Sequence, residues 1–218
     1  MTKTDKIRTL VWDFNGTLVD DARISVESIN IMLKDRGLPG ISLVKYRSLF
    51  SFPVKDYYEK AGFDFSRESF SSVGREFISI YTLLFPRARI FPEAKRLLQV
   101  FNELGIEQFV LSAMEQEMLE RSIRDAGLES YFTEVSGIDN IYASSKLKNG
   151  KDLFKRRGLE GEKTWIIGDT VHDWQVAEEL GCRCLLIGAG HQDISCLRET
   201  GCPYILKDHS EIPRRLKF

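Results

Sequence analysis

The sequence predicts an α/β fold: a doubly wound parallel sheet, interrupted after its first strand by a helical insertion. Three observations predict it. Short runs rich in Val, Ile and Leu alternate with helical patterns over most of the chain, as expected of strands buried on both faces between crossover helices. Gly105, Gly127, Gly158 and Gly181 stand just past four of those patterns, where a left-handed C-cap is needed. The first gap between strands breaks the alternation, because most of it carries helical periodicity and no convincing strand.

In chain order, residues 7–13 read as the first strand. Residues 20–37 follow as a long helix, 42–49 and 54–61 as short ones, and 66–84 as another long one before Pro86. The alternating part resumes with a helix over 93–104 and a strand over 107–112. Then come a helix over 115–126, a strand over 132–136, a helix over 146–157, a strand over 163–168 and a helix over 173–180. Strands over 183–187 and 203–206 complete the sheet. A chain of 218 residues with 43% hydrophobic content can fill one large core, or a core with an insert.

Ligands of such sheets sit at the carboxyl ends of the strands, and that is where the chemistry-bearing residues fall. The first strand runs into Asp13-Phe14-Asn15-Gly16-Thr17-Leu18. Residues two apart on a strand share a face, so Asp13 and Asn15 look together beyond its end. The strand over 163–168 runs into Gly168-Asp169 and reaches Asp173 four residues later. Two carboxylates so spaced suit a hard divalent cation, although Asp173 alone also reads as a helix cap. Ser112 ends another strand, and with the backbone N–H of Ala113 and its followers it can grip an anion or cap the next helix. Of Lys146, Lys148 and Lys151, Lys146 opens a helical run after a small-residue loop, whereas the other two read as solvent-facing.

Together these motifs resemble the haloacid dehalogenase superfamily, whose first signature is D-x-D-G-T-L and whose last is an acidic G-D-x-x-x-D. The resemblance covers essentially the whole chain. It implies a Rossmann-like catalytic core over residues 1–19 and 88–218, with a helical cap over 20–87 that hinges near Val19-Asp20 and Pro86-Arg87. It implies a phosphate monoester hydrolase acting on a small phosphorylated metabolite through an aspartyl-phosphate. Asp13 would be the nucleophile, with Thr17 orienting its loop and Ser112, Ala113 and Lys146 holding the phosphate. Mg²⁺ would be held by Asp13, Asp169, Asp173 and the backbone carbonyl of Asn15. In the cap, Arg47, Lys55, Tyr57 and Tyr58 around Phe52-Pro53 would lie near the leaving group.

One letter departs from the pattern. Asn15 stands where the superfamily has its general acid, and an amide cannot shuttle a proton at neutral pH. Losing a general acid typically costs a factor of about 10² to 10⁴, which slows such an enzyme without abolishing it. Three readings follow: a slowed phosphatase, a phosphonatase-like hydrolase that forms an imine through Lys55, and a protein that binds phosphorylated ligands without turnover. His172, between the two downstream aspartates, is a candidate substitute acid.

Net charge is −1, so no basic surplus points to nucleic acid. No apolar run approaches the roughly 18 residues a membrane span needs, and no signal region leads the chain, which predicts a cytoplasmic monomer or homodimer. The four cysteines, Cys182, Cys184, Cys196 and Cys202, lack the spacing of a zinc site and read as buried, reduced thiols.

Overall fold

The computed structural model describes residues 7–139 and 146–216. Six parallel strands form the sheet: β1 (Thr9–Trp12), β4 (Glu107–Glu115), β5 (Glu134–Ile138), β6 (Thr164–Gly168), β7 (Arg183–Ile187) and β8 (Ile205–Leu206), in the order β5-β4-β1-β6-β7-β8. The chain leaves the central strand β1 to one side through β4 and β5, then to the other through β6, β7 and β8. The switch point thus lies between β1 and β6, where a ligand crevice forms.

Strand periodicity sorts the side chains between two layers. Leu10 and Trp12 enter one apolar cluster, with Leu98, Phe101 and Leu119 from α5 (Pro92–Glu103) and α6 (Gln116–Asp125). Val11 points the other way, toward Leu153 of α7 (Lys146–Arg157), Val176 of α8 (Val171–Glu179) and Leu197 of α9 (Ile194–Arg198). A last short helix, α10 (Ile212–Leu216), closes the first layer.

Four helices, α1 (Ala22–Asp35), α2 (Leu43–Leu49), α3 (Val54–Ala61) and α4 (Phe70–Leu84), lie between the first two sheet strands and enclose their own apolar cluster around Ile29, Leu33, Tyr57 and Val73. Arg36, just past α1, pairs with both Glu68 and Glu76, which binds α1 to α4. Two strands too short to read from sequence, β2 (Val19–Asp20) and β3 (Arg89–Ile90), pair antiparallel and hold the ends of this segment side by side. The fourth helix begins at Phe70 and not at 66, because Ser69 accepts the N–H of Ser72 as its cap.

β4 runs three residues further than expected, through a register shift between Leu111 and Glu115, and Glu115 rather than Ser112 caps α6. All four cysteines are free thiols, but only Cys184 and Cys202 are buried; Cys182 and Cys196 are half-buried. Among the described residues no helix is long and apolar enough to cross a membrane. Leu10 is wholly buried at the middle of the sheet. Leu10→Ala should therefore lower the free energy of urea unfolding by about 2–5 kcal/mol.

Candidate active site

Asp13 is the first residue beyond β1, and its backbone N–H still donates to Ile167 O of β6 at 2.8 Å, so the sheet ladder fixes where its side chain begins. Asp169 follows β6 in the same way, and Asp173 lies in the first turn of α8. All three carboxylates are buried, and each offers an oxygen within 4.8 Å of the others. Lys146, the first residue of α7 and 3% exposed, donates to Asp13 Oδ1 and Asp173 Oδ1. Lys148 is exposed, and Lys151 is exposed beside Glu179. The loop over Tyr142–Ser145 that precedes Lys146 lies outside the described residues.

Asp173 is the helix cap its position allows, and it also stands beside Asp13 and Asp169. Thr170 and Asp173 form a reciprocal capping box, and Asp173 Oδ2 also accepts from the Asp169 N–H. Its other oxygen is thereby aimed at Lys146. Asp169 is held as firmly: Thr17 Oγ1 donates to Oδ1 at 2.8 Å, and the His191 N–H donates to Oδ2 at 2.6 Å. Thr17 therefore ties the Asp13 loop to Asp169. Only glycine fits between them, because Gly16 has φ of 75° and a Cβ there would sit 2.4 Å from Asp169 Oδ2.

Asn15 faces a fourth buried carboxylate, Asp21, that sequence reasoning missed. Its Nδ2 donates to Asp21 Oδ2 at 3.1 Å and to Tyr81 Oη at 2.9 Å, an amide orientation that follows from the acceptor-only carboxylate. Asp21 also accepts from Tyr81 Oη at 2.6 Å and from the Gly16 N–H at 2.8 Å, and His191 Nε2 lies 3.1 Å from its Oδ1. The other ring nitrogen of His191 meets Tyr46 Oη at 2.7 Å. Asp21 follows the Val19–Asp20 strand and His191 lies in a glycine-flanked loop after β7, a strand-end position that was the one available signal.

A cavity of about 190 Å³ opens above these groups. Asp13, Asn15, Ser112, Ala113 and Lys146 form its polar end, and Phe52, Tyr57, Tyr58, Phe77 and Ile78 line its walls. Ser112 is buried, and its Oγ accepts the Met114 N–H at 3.1 Å. Two residues expected near a leaving group do not line the cavity. Arg47 donates to the carbonyls of Gly190 and Ala189, clasping the helical segment to the loop that carries His191. Lys55 is half-exposed, 3.7 Å from Glu59 and over the Phe65 ring. His172 does line the cavity, with its ring centroid 4.7 Å from that of Phe52, and burial pushes its pKa down, which leaves it neutral and a poor acid at pH 7.

Charge balance at the floor is incomplete. Burial, opposed by Lys146 and reinforced by Asp173 and Asp169, raises Asp13 from 3.8 to about 8. Burial likewise raises Asp169 to about 6, against the pull of His191. For Asp173 and Asp21, burial is outweighed by Lys146 and by His191 respectively, so both stay below the ordinary value. Burial alone would lower His191, but Asp21 prevails and holds it at about 9. Three close carboxylate oxygens with two pKa values pushed up form a site short of positive charge, and an all-oxygen donor set of this kind fits a hard divalent cation.

The sequence matches the family described as haloacid dehalogenase-like hydrolase over residues 10–187. Among curated proteins, a phosphoglycolate phosphatase of Synechococcus elongatus is 23% identical over 209 residues, covering 94% of this chain and 95% of that one. A probable phosphatase, IndB, of Dickeya dadantii is 23% identical over 208 residues, covering 93% and 90%. Among solved structures, a haloacid dehalogenase-like hydrolase from Streptococcus pneumoniae superposes with a TM-score of 0.82 at 20% identity, covering 96% of this chain and 98% of that one.

Two outcomes follow from the electrostatics. A folded-state pKa of about 8 on Asp13 means that the cation-free protein loses stability as pH rises from the ordinary carboxylate value toward 8, and that a cation must displace a proton below 8. Saturating Mg²⁺ should therefore raise the thermal unfolding midpoint by about 5–10 °C at pH 8.5, and by clearly less at pH 6. Asn15→Asp would set a carboxylate against Asp21. It should destabilise the chain by about 1–3 kcal/mol in chemical unfolding, and adding Asp21→Asn should recover most of the loss.

Proposed function

The chain belongs to the haloacid dehalogenase-like hydrolases, and on that premise we propose that it hydrolyses small phosphate monoesters through a phosphorylated Asp13. The observation that carries this reading is the meeting of Asp13, Asp169, Asp173 and Lys146 beneath one cavity, at the switch point of the sheet.

Asp13 attacks phosphorus in line, and the P–O bond to the alcohol breaks with its electron pair on the leaving oxygen. Water then attacks the aspartyl-phosphate at phosphorus, which releases inorganic phosphate and restores the carboxylate. Lys146 neutralises Asp13 and the incoming phosphate together; at about 4 Å, and an effective dielectric near 20, an ammonium–anion contact amounts to roughly 4 kcal/mol. Ser112 and the Ala113 N–H hold the equatorial oxygens. Thr17 and the His191 N–H keep Asp169 oriented, and Asp173 keeps Lys146 in place. Asp13, Asp169, Asp173 and the Asn15 carbonyl would hold Mg²⁺, which when bound would supply neutralisation of phosphate charge. Helices α1 to α4 act as the cap over this site and exclude water from it.

The contacts of Lys55 with Glu59 and Phe65 give no support to an imine-forming role. A second reading, binding without turnover, is favoured by one observation: Asn15 offers no proton, and its amide is engaged by Asp21 and Tyr81. The names of the curated relatives suggest 2-phosphoglycolate as the ester, but the cation-poor walls of the cavity favour a less polar leaving group.

Phosphate release from p-nitrophenyl phosphate, with and without Mg²⁺, tests the reading. Turnover should require the cation and fall by more than about 10³-fold in Asp13→Asn, while Lys146→Met should cost at least about 10²-fold. Cation-dependent binding of phosphate with no turnover above the Asp13→Asn blank would leave the binding reading in its place.

A further inference from the structure

Resting on that phosphatase reading, we infer that the leaving group is an aromatic alcohol, so that the substrates are aryl phosphates and not small esters bearing a second anion. The cavity walls beyond the phosphate end are rings and aliphatic chains, among them Phe52, Tyr58, Phe70, Phe77 and Ile78. The whole cavity, phosphate end included, measures about 190 Å³ and has room for no more than a single ring, since a cavity of about 150 Å³ lined by apolar side chains holds one benzene.

No cation among the described residues lining the cavity is left for a carboxylate. Lys146 is paired with Asp13 and Asp173, His191 with Asp21, and the His172 ring lies against Phe52. Glu115, whose carboxylate caps α6, and Asp21, paired with His191, also line the space and offer no positive charge to a second anion on the substrate. Tyr57 adds one polar feature: it is 2% exposed, lines the cavity, and its hydroxyl has no hydrogen-bond partner among the described residues. Burial raises its pKa, so it stays a phenol and offers one donor to an acceptor on the ring.

The chemistry at position 15 points the same way. With an amide in place of the acid, the bond between phosphorus and the leaving oxygen must break without proton donation from that side chain. A phenol, with pKa about 10, leaves as its phenolate far more readily than an aliphatic alcohol leaves as its alkoxide. Asp13 gains the phosphoryl group, the phenolate carries off the electron pair and takes a proton from solvent, and water returns Asp13 to its free form.

Binding and turnover separate this inference from the reading beneath it. In calorimetry with Mg²⁺, benzylphosphonate should bind the intact chain at least about tenfold more tightly than 3-phosphonopropionate, which matches its phosphonate but carries a carboxylate. Equal affinities, tighter binding of the carboxylate compound, or no binding of either would overturn the inference. Phosphate release from phenyl phosphate and 2-phosphoglycolate reports separately on the phosphatase reading: release from neither ester defeats that reading, whereas a preference for 2-phosphoglycolate upholds it and defeats the inference. Ile78→Lys, which sets an ammonium in the wall, should narrow the affinity ratio by about tenfold or more. An unchanged ratio in a variant with the parent circular dichroism spectrum would overturn the assignment as well.

Discussion

Three buried carboxylates sharing a space of 4.8 Å cannot all remain ionised without compensation, and the arrangement around the site answers that constraint. Lys146 bridges Asp13 and Asp173, and the capping box of α8 holds Asp173 so that one of its oxygens meets that ammonium. Thr17 and the His191 N–H restrain Asp169 from two sides. The ladder between β1 and β6 sets the spacing of Asp13 and Asp169, and Gly16 and Gly190 leave the room that a Cβ would take. The shortfall in positive charge that remains is what a divalent cation would meet.

The fold was legible because its signals are local. Runs of Val, Ile and Leu, glycine caps and helical periodicity each lie within one element, and five of the six sheet strands match their expected ranges to within two residues at either end. The places of Asp13, Asp169, Asp173 and Lys146 were legible for the same reason, since each lies at or next to the end of such an element, whereas Ser112 falls within the longer β4. The pairing of Asp21 with His191 was not, because it joins residues 170 positions apart and neither belongs to a motif. The paired strands β2 and β3 escaped notice because two residues carry no periodicity. Arg47 was read as facing substrate, as a cation in a cap invites, but the carbonyls of Ala189 and Gly190 are acceptors no sequence pattern could announce.

Asn15 gains its meaning only from that hidden pair. In isolation the amide is a lost acid; beside Asp21 it is a donor fitted to an acceptor, with Tyr81 completing the triangle. The negative charge that the superfamily signature carries at position 15 is present in this chain six residues further on, neutralised by His191 and turned toward the helical segment. Its surroundings therefore suit an amide better than a carboxylate.

The central place of β1 has a consequence for how the molecule comes to exist. Val11 has Phe109 on one side and Ile166 on the other, so neither neighbour has been synthesised when the first strand emerges. Helices α1 to α4, whose apolar cluster is drawn from a short stretch of chain, can condense early, whereas the strand that precedes them must wait with Leu10, Val11 and Trp12 unburied. Made before both of its neighbours, β1 is thus among the last of the sheet strands to be enclosed. Until it is, the nascent chain carries a bare apolar edge along β1, and Asp13 has neither Lys146 nor Asp169 beside it.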